Sequence, residues 1–375
     1  KVKIPYDSML DKFGQIDAKG NYQSDTEKKS ARFFKMIGTL VTGRVFVSMA
    51  ALSGNKDALA AIVDFCENRK VFGNTLLDKQ ATQTRLMPKV AEAYALHFAT
   101  RYLLECFDKQ DPRTDTMAAA IKAVSSDRAM ETVDEARQLA GGKGFMSEER
   151  YGMLRGDMDV FRTFEGDNLV LRMLTAKNQM TRIAKKFSAS SIVGKLLKSY
   201  DMGRKDRWSR WANRDEFLNA EDQMGLFEAR ERTMAHNLVR KANQLKNKYD
   251  KDEVANLIQD DMKEYSDAYA ERLILERFVK AVDEQKDREV KAVLKDLCDL
   301  YAVHTLRKNA LWYVENGNLN TDLTHSLVRL EHDLNAKVRP QAQTLVDAFG
   351  IPQQLLHGPA PEQAAKPATK PGPVF

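Results

Sequence analysis

The sequence predicts an all-α chain of two helical bundles, entered through a short strand-and-loop lead-in. Three observations carry that reading. Apolar residues recur at helical spacing through long polar–apolar runs. Glycine and proline, 19 and 10 among 375 residues, are sparse until the end. Charged residues make up 30% of the chain, against 43% hydrophobic, and their mixed-sign runs suit solvated helix faces carrying i,i+4 pairs.

Residues 1–29 are not helical in character. KVKIP at Lys1–Pro5 reads as the end of a strand, and Gly14 and Gly20 break the loop behind it. A first bundle is expected over residues 30–186. Phe33, Phe34, Ile37, Leu40, Val41, Val45 and Val47 mark one helix. Ala58–Cys66 carries a second, about Thr82–Phe107 a third and Thr116–Ala140 a fourth, and their short connections make neighbours antiparallel. A basic linker follows at 187–214. Its arginines and lysines, with Trp208 and Trp211, would suit phosphates and stacked bases, yet no nucleic-acid motif accompanies them. A solvated linker whose tryptophans pin it to a bundle is therefore preferred, and no nucleic-acid partner is expected. The second helical domain spans 215–350, built from Phe217–Tyr249, Glu253–Val282, Val290–Val314 and Thr321–Phe349. Residues 351–375, rich in proline and alanine, are expected to be disordered.

Several classes are set aside by composition. The net charge of +6 is mild for this size and suits an anionic small ligand as well as a polyanion. Cys66, Cys106 and Cys298 lie in helical runs with no pairing or metal spacing, so they read as reduced thiols of a cytosolic protein. His236, His304, His325 and His332 are scattered at no ligand spacing, and no metal is expected. No apolar run reaches the length of a membrane span, and no signal peptide is expected. The chain ends in Pro-Val-Phe rather than a Ser-Lys-Leu-type peroxisomal address, so a cytoplasmic location is expected.

The unusual residues gather between Arg137 and Val170. Gly141, Gly142 and Gly144 follow the end of a long amphipathic run, where glycine closes a helix or admits a close approach. They follow a helix, not a strand, and lack both GxGxxG and the Lys-Ser/Thr ending, so they are no phosphate loop of those kinds. Glu165 stands at or just before a helix start, on a loop that Gly166 keeps open. Taken alone, a carboxylate there most often serves the helix dipole and its free amide donors.

Four elements in order resemble the C-terminal half of the flavin-dependent acyl-CoA dehydrogenase and acyl-CoA oxidase superfamily. ENRKVFG, with Gln80 eleven residues after Arg69, is similar to the family's ERxxFG…Q element. Gln138–Phe145, QLAGGKGF, is similar to its QxxGGxGY/F element. Thr163–Asn168, TFEGDN, has the form typical of the oxidase branch, and Gly43-Arg44 occupies the place of an arginine near the substrate. The likeness covers about residues 1–186 well, and the second helical domain more loosely resembles the extra C-terminal bundle of the oxidases.

The resemblance implies a cofactor, FAD, and a role for each residue. Arg69 would pair with the FAD pyrophosphate, as a fixed forked cation suits. Phe72 would lie against the adenosine, Gln80 and Gln138 would bond the nucleotide, and Gly141 and Gly142 would let backbone come close. Asp167 and Asn168 of the TFEGDN element count with these cofactor residues, and Arg44 and Gly166 with the substrate. In the family such contacts reach the neighbouring subunit's flavin, which implies a homodimer. Glu165 would remove the α-proton of an acyl-CoA thioester, giving a trans-2-enoyl-CoA of β-oxidation. The family's N-terminal helical domain and most of its flavin-holding β-domain are absent, and the chain opens with Lys1, so a missing half is expected upstream or as a separate chain. Two rival readings stay open. One is a dehydrogenase passing electrons to an electron-transfer flavoprotein; the other is a non-catalytic helical interaction module.

Overall fold

The computed structural model describes residues 2–9, 11–187 and 219–356. Helices dominate it, as the periodicity predicts. Pro5 is extended, but residues 2–5 form no strand, since no described strand pairs with them. The lead-in's only pairing among the described residues is a small hairpin, β1 (Gln15–Ile16) with β2 (Tyr22–Gln23).

The helices of the first half differ from the expected set, first where the chain enters the bundle. A short α1 (Lys29–Ile37) stops at Gly38-Thr39, and a 29-residue α2 then runs unbroken from Leu40 to Asn68. It merges the end of the first expected helix with the second. Gly43 and Gly54 inside it look like breakers, but each faces a side chain that needs the space. A Cβ on Gly54 would stand 2.2 Å from the Met158 sulfur. The next two helices are α3 (Gln80–Asp108) and α4 (Thr114–Leu139). The small, fully buried residues Ala118, Ala119, Ala120 and Ala123 of α4 let its neighbours pack close.

After α4 the chain turns through a 3-10 segment, Gly141–Phe145, and returns along α4. It returns as two pieces, α5 (Tyr151–Val160) and α6 (Asn168–Phe187). Arg155 pairs with Asp134 at 2.7 Å, Arg162 with Asp127 at 2.9 Å, and Asn178 bonds Thr116 at 3.2 Å, so the path is antiparallel. The loop between the pieces holds Glu165.

The second half is α7 (Ala220–Leu245), α8 (Lys251–Leu257), α9 (Gln259–Glu284), α10 (Arg288–Lys308), α11 (Ala310–Glu315), α12 (Thr321–Val338), α13 (Ala342–Asp347) and α14 (Gln353–Leu356). Side-chain caps start four of these. Asn219, Asp250, Asp287 and Asn320 each accept from a backbone N–H of the first turn. The halves share one apolar core across α3, where Phe98 meets Phe278 at 5.3 Å between ring centroids. Buried ions also cross the seam. Arg172 bridges Asp127 at 2.8 Å and Asp267 at 2.6 Å, and Arg128 meets Glu271 at 3.9 Å.

Cys66, Cys106 and Cys298 are buried free thiols, and burial pushes the Cys66 thiol up to about 12. Among the described residues no helix is long and apolar enough to cross a membrane, and no group of three or more His, Cys, Asp or Glu could hold a metal. The expected linker from residue 188 on, with Trp208 and Trp211, and the expected tail from residue 357 lie outside the described residues.

Candidate active site

Glu165 and Gly166 interrupt the return path, the backbone turning left-handed at both, with φ of 56° and 108°. For glutamate that conformation is unfavourable, so the surroundings must hold it. It swings the carboxylate onto the first turn of α2. A Cβ added at Gly43 would stand 2.2 Å from the Glu165 carboxyl carbon and 2.3 and 2.7 Å from its two oxygens. Only glycine at 43 leaves that room. The Glu165 Oε2 is enclosed and has no hydrogen-bond partner among the described residues. Among the described residues, the backbone N–H groups of Glu165 and Gly166 have none either. An acceptor-rich carboxylate and two donors of opposite character thus stand side by side, unused.

The loop is fastened from its own backbone. Arg44, buried at 4% exposure, donates from Nε to the Glu165 carbonyl at 3.1 Å and from a terminal nitrogen to Asp115 at 3.1 Å. The expectation places Arg44 near the substrate; the structure puts its guanidinium on the loop that carries Glu165. Asp167 caps α6, its Oδ1 accepting from the Leu169 N–H at 2.8 Å. Asn168 points inward and is correspondingly closed to a cofactor. Its amide donates to Ser126 Oγ at 2.9 Å and Asp127 Oδ1 at 3.0 Å, and its oxygen accepts from Lys122 at 2.9 Å. Lys122, fully buried on α4, also donates to the Gly166 carbonyl at 2.8 Å and the Arg162 carbonyl at 3.3 Å. The sequence reading passed over Lys122. Its signal is a single charge inside the apolar run Met117–Val124, MAAAIKAV.

The expected nucleotide residues stand elsewhere. Arg69 leaves the end of α2 exposed, with no side-chain partner among the described residues. Behind it β3 (Lys70–Val71) pairs with β4 (Asn74–Thr75), and the two-residue turn between them is Phe72-Gly73 at φ of 52° and 85°. Such a turn favours Asn-Gly, so a phenylalanine at its first position is strained. Phe72 is also 95% exposed. Both costs point to something that covers the ring.

Arg339, from the 3-10 turn after α12, holds this hairpin by Glu67 at 3.0 Å and Asp78 at 2.7 Å. The neighbouring amides are only lightly engaged. Gln138 accepts from Arg85 at 3.3 Å, and Gln80 lies 3.4 Å from His332 Nδ1. Gly141, at φ 60°, and Gly142 border open space. Gly144 does not: its Cβ would stand 2.0 Å from the Arg137 carbonyl oxygen, so it serves the helix end. An unpartnered guanidinium, an uncovered ring, two amides and two open glycines fit a phosphate and an aromatic base arriving from outside.

The two groups lie at opposite ends of the bundle. α2 and α4 run parallel, since Arg44 meets Asp115 at their starts while Arg85 joins the end of α4 to the start of α3. Along α2 the rise of 1.5 Å per residue sets Gly43 and Arg69 roughly 40 Å apart. One dinucleotide cannot touch both.

This arrangement, a helical bundle with a glutamate loop at one end and an exposed Arg–Phe hairpin at the other, is accompanied by two family matches. Residues 34–180 match the acyl-CoA dehydrogenase C-terminal domain and residues 219–359 the acyl-CoA oxidase domain. The chain belongs to the acyl-CoA dehydrogenase/acyl-CoA oxidase superfamily, with the domain order of the oxidase branch. It is 28% identical over 383 residues to peroxisomal acyl-coenzyme A oxidase 2 of Arabidopsis thaliana, covering 97% of this chain and 55% of that protein. It is 28% identical over 397 residues to an acyl-coenzyme A oxidase-like protein of Mus musculus, covering 100% and 63%. The chain thus spans little more than half the length of the relatives it matches. In fold it is similar to the solved acyl-CoA oxidase 1 of Arabidopsis thaliana, at TM-score 0.81 and 23% identity, over 95% of this chain and 56% of that one. It is also similar, at TM-score 0.70 and 20% identity over 95% and 54%, to a Caenorhabditis elegans acyl-CoA oxidase-2 bound with FAD, ascaroside-CoA and ATP.

Proposed function

We propose that this chain supplies the C-terminal helical part of an FAD-dependent acyl-CoA oxidase of fatty-acid β-oxidation, converting an acyl-CoA to its trans-2-enoyl-CoA. The observation that carries the reading is the Glu165 carboxylate, enclosed over Gly43 with Oε2 unpartnered. Glu165 takes the α-proton as general base. The free N–H of Glu165 is suited to donate to the thioester carbonyl, where negative charge develops as the proton leaves. Gly166 lets substrate approach that backbone, and Arg44 keeps the loop in place through the Glu165 carbonyl. FAD, when bound, supplies the acceptor for the hydride leaving the β-carbon.

Arg69, Phe72, Gln80, Gln138, Gly141 and Gly142 hold the nucleotide end of that FAD. Their distance from Glu165 supports a site shared between two chains, so that each clamp serves the flavin beside the other chain's glutamate. The rest of the flavin's seat belongs to a preceding part of the same gene product or to a separate chain. The oxidase-domain match at residues 219–359 favours oxygen over an electron-transfer flavoprotein as electron acceptor. The peroxisomal relatives favour the peroxisome over the cytosol that the sequence alone suggests.

Glu165→Gln in the FAD-loaded enzyme tests the base directly. The variant is expected to keep its yellow flavin and lose turnover by roughly 100- to 10,000-fold, the range for removing a positioned base. Turnover at the parent rate would overturn the reading. Peroxide release without an added acceptor separates oxidase from dehydrogenase.

A further inference from the structure

Lys122 is a charge that neither the family motifs nor the proton-abstraction step uses, yet it lies directly beneath Glu165. It is fully buried among the alanines of α4. Its three contacts are all acceptors: the Arg162 carbonyl at 3.3 Å, the Gly166 carbonyl at 2.8 Å and Asn168 Oδ1 at 2.9 Å. These span the last turn before the loop, the loop itself and the first residue of α6. An ammonium carries three N–H donors, one for each. Nothing else among the described residues bonds the Gly166 carbonyl.

We propose that Lys122 is a positioning residue for the candidate base, its ammonium tying Arg162, Gly166 and Asn168 together so that Glu165 keeps its left-handed backbone and aims its carboxylate. The inference rests on the reading of Glu165 as the base. With Arg44 on the Glu165 carbonyl and Lys122 on the Gly166 carbonyl, two successive peptide planes are pinned from two different helices. Both peptide oxygens point into the bundle, so the N–H groups of the same two planes, those of Gly166 and Asp167, face away from it, and neither has a backbone acceptor among the described residues. Removing the ammonium would free the Gly166–Asp167 plane to rotate, loosen the loop's ties to Arg162 and Asn168, and let the Glu165 carboxylate drift off line.

The charge state of Lys122 gives this device a pH limit. Burial pushes the ammonium down to about 8; Asp127 on its own helix, Asp167 and Glu165 oppose that, and Arg44 adds to it. Once the proton leaves, the amine has two N–H donors for three acceptors. kcat is therefore expected to fall on the alkaline side of about pH 8.

The test uses Lys122→Met in the FAD-loaded enzyme. The expected result is kcat lowered roughly 100-fold, the scale for a misplacement of about an ångström. KM and flavin content should stay near the parent's, and the alkaline limb should vanish. Backbone amides of residues 165–169 should exchange faster with solvent. Lys122→Ala should regain part of its kcat with added ethylamine. Parent-level kcat in a folded Lys122→Met, or loss of flavin in proportion to the loss of kcat, would overturn the proposal. If Lys122→Met fails to fold, Lys122→Gln, which keeps two donors, takes its place under the same criteria. Glu165→Gln run alongside separates the two readings. Should it keep turnover, the base assignment falls, while faster amide exchange in Lys122→Met still reports the positioning role.

Discussion

Gly43 and Glu165 share one space: the carboxyl group of the glutamate lies where a side chain on residue 43 would begin, with atoms as close as 2.2 Å to a built Cβ. The clash is with the far end of a flexible side chain, so it tests position without testing the fold. Gly43→Ala is expected to melt near the parent temperature, helped by alanine's better helix propensity of about 0.5–1 kcal/mol. Its kcat should drop roughly 100-fold because the carboxylate is moved. Parent-level turnover in that variant would show that the productive carboxylate does not lie over α2.

The Phe72 hairpin is held by the second half of the chain, through Arg339 on Glu67 and Asp78. Arg339 is mostly buried and its partners are part-exposed, so each pair is worth only modest energy. Arg339→Ala is expected to weaken FAD retention about tenfold, equivalent to about 1.4 kcal/mol. Flavin fluorescence on dilution measures it, and unchanged retention would mean the hairpin keeps its strained turn unaided.

Glu331 is fully buried on α12 between His304 Nδ1 at 2.7 Å and Arg307 at 2.5 Å on α10. Burial raises its carboxyl, but those two bonds outweigh burial and hold it below its ordinary 4.5. A depressed carboxyl stabilises the fold above pH 4.5 and stops doing so as pH falls through the lower folded value. Glu331→Gln should therefore cost about 2 kcal/mol at neutral pH and flatten the acid side of the stability profile. Urea titrations at a series of pH values read both effects; an unchanged acid slope would be the contrary result.

The glycines after α4 divide into two kinds. Gly144→Ala drives a Cβ against the Arg137 carbonyl oxygen, a backbone atom that cannot step aside, and is expected to destabilise by about 1–3 kcal/mol. Gly142→Ala meets open space and should leave stability alone. If that glycine borders the nucleotide, FAD binding weakens instead, which equilibrium titration would detect.

How much of this was legible beforehand depended on the range of the interaction. Helical spacing marked most of the helices, because that signal is local. What Gly43 and Gly54 do was not legible for the same reason: the side chains they admit, Glu165 and Met158, lie far along the chain. KVKIP has strand composition, but a strand exists only with a neighbour. Glu165 was legible through its motif. Arg44's bond to the Glu165 carbonyl, 121 residues away, was not, and neither was the strain at Phe72, a property of dihedral angles. Lys122 hid in an alanine-rich run because nothing local says which way one lysine faces.

The distance of roughly 40 Å between the two ends of α2 reaches beyond structure into genetics. When each pocket borrows its clamp from another copy, lesions at the two ends fall in different pockets of a mixed pair. A Glu165→Gln copy joined to an Arg69→Ala copy places both faults in one pocket and leaves the other whole. Two inactive alleles of this gene should therefore complement each other, at up to half the parental activity per mixed pair, whereas two alleles damaged at the same end should not.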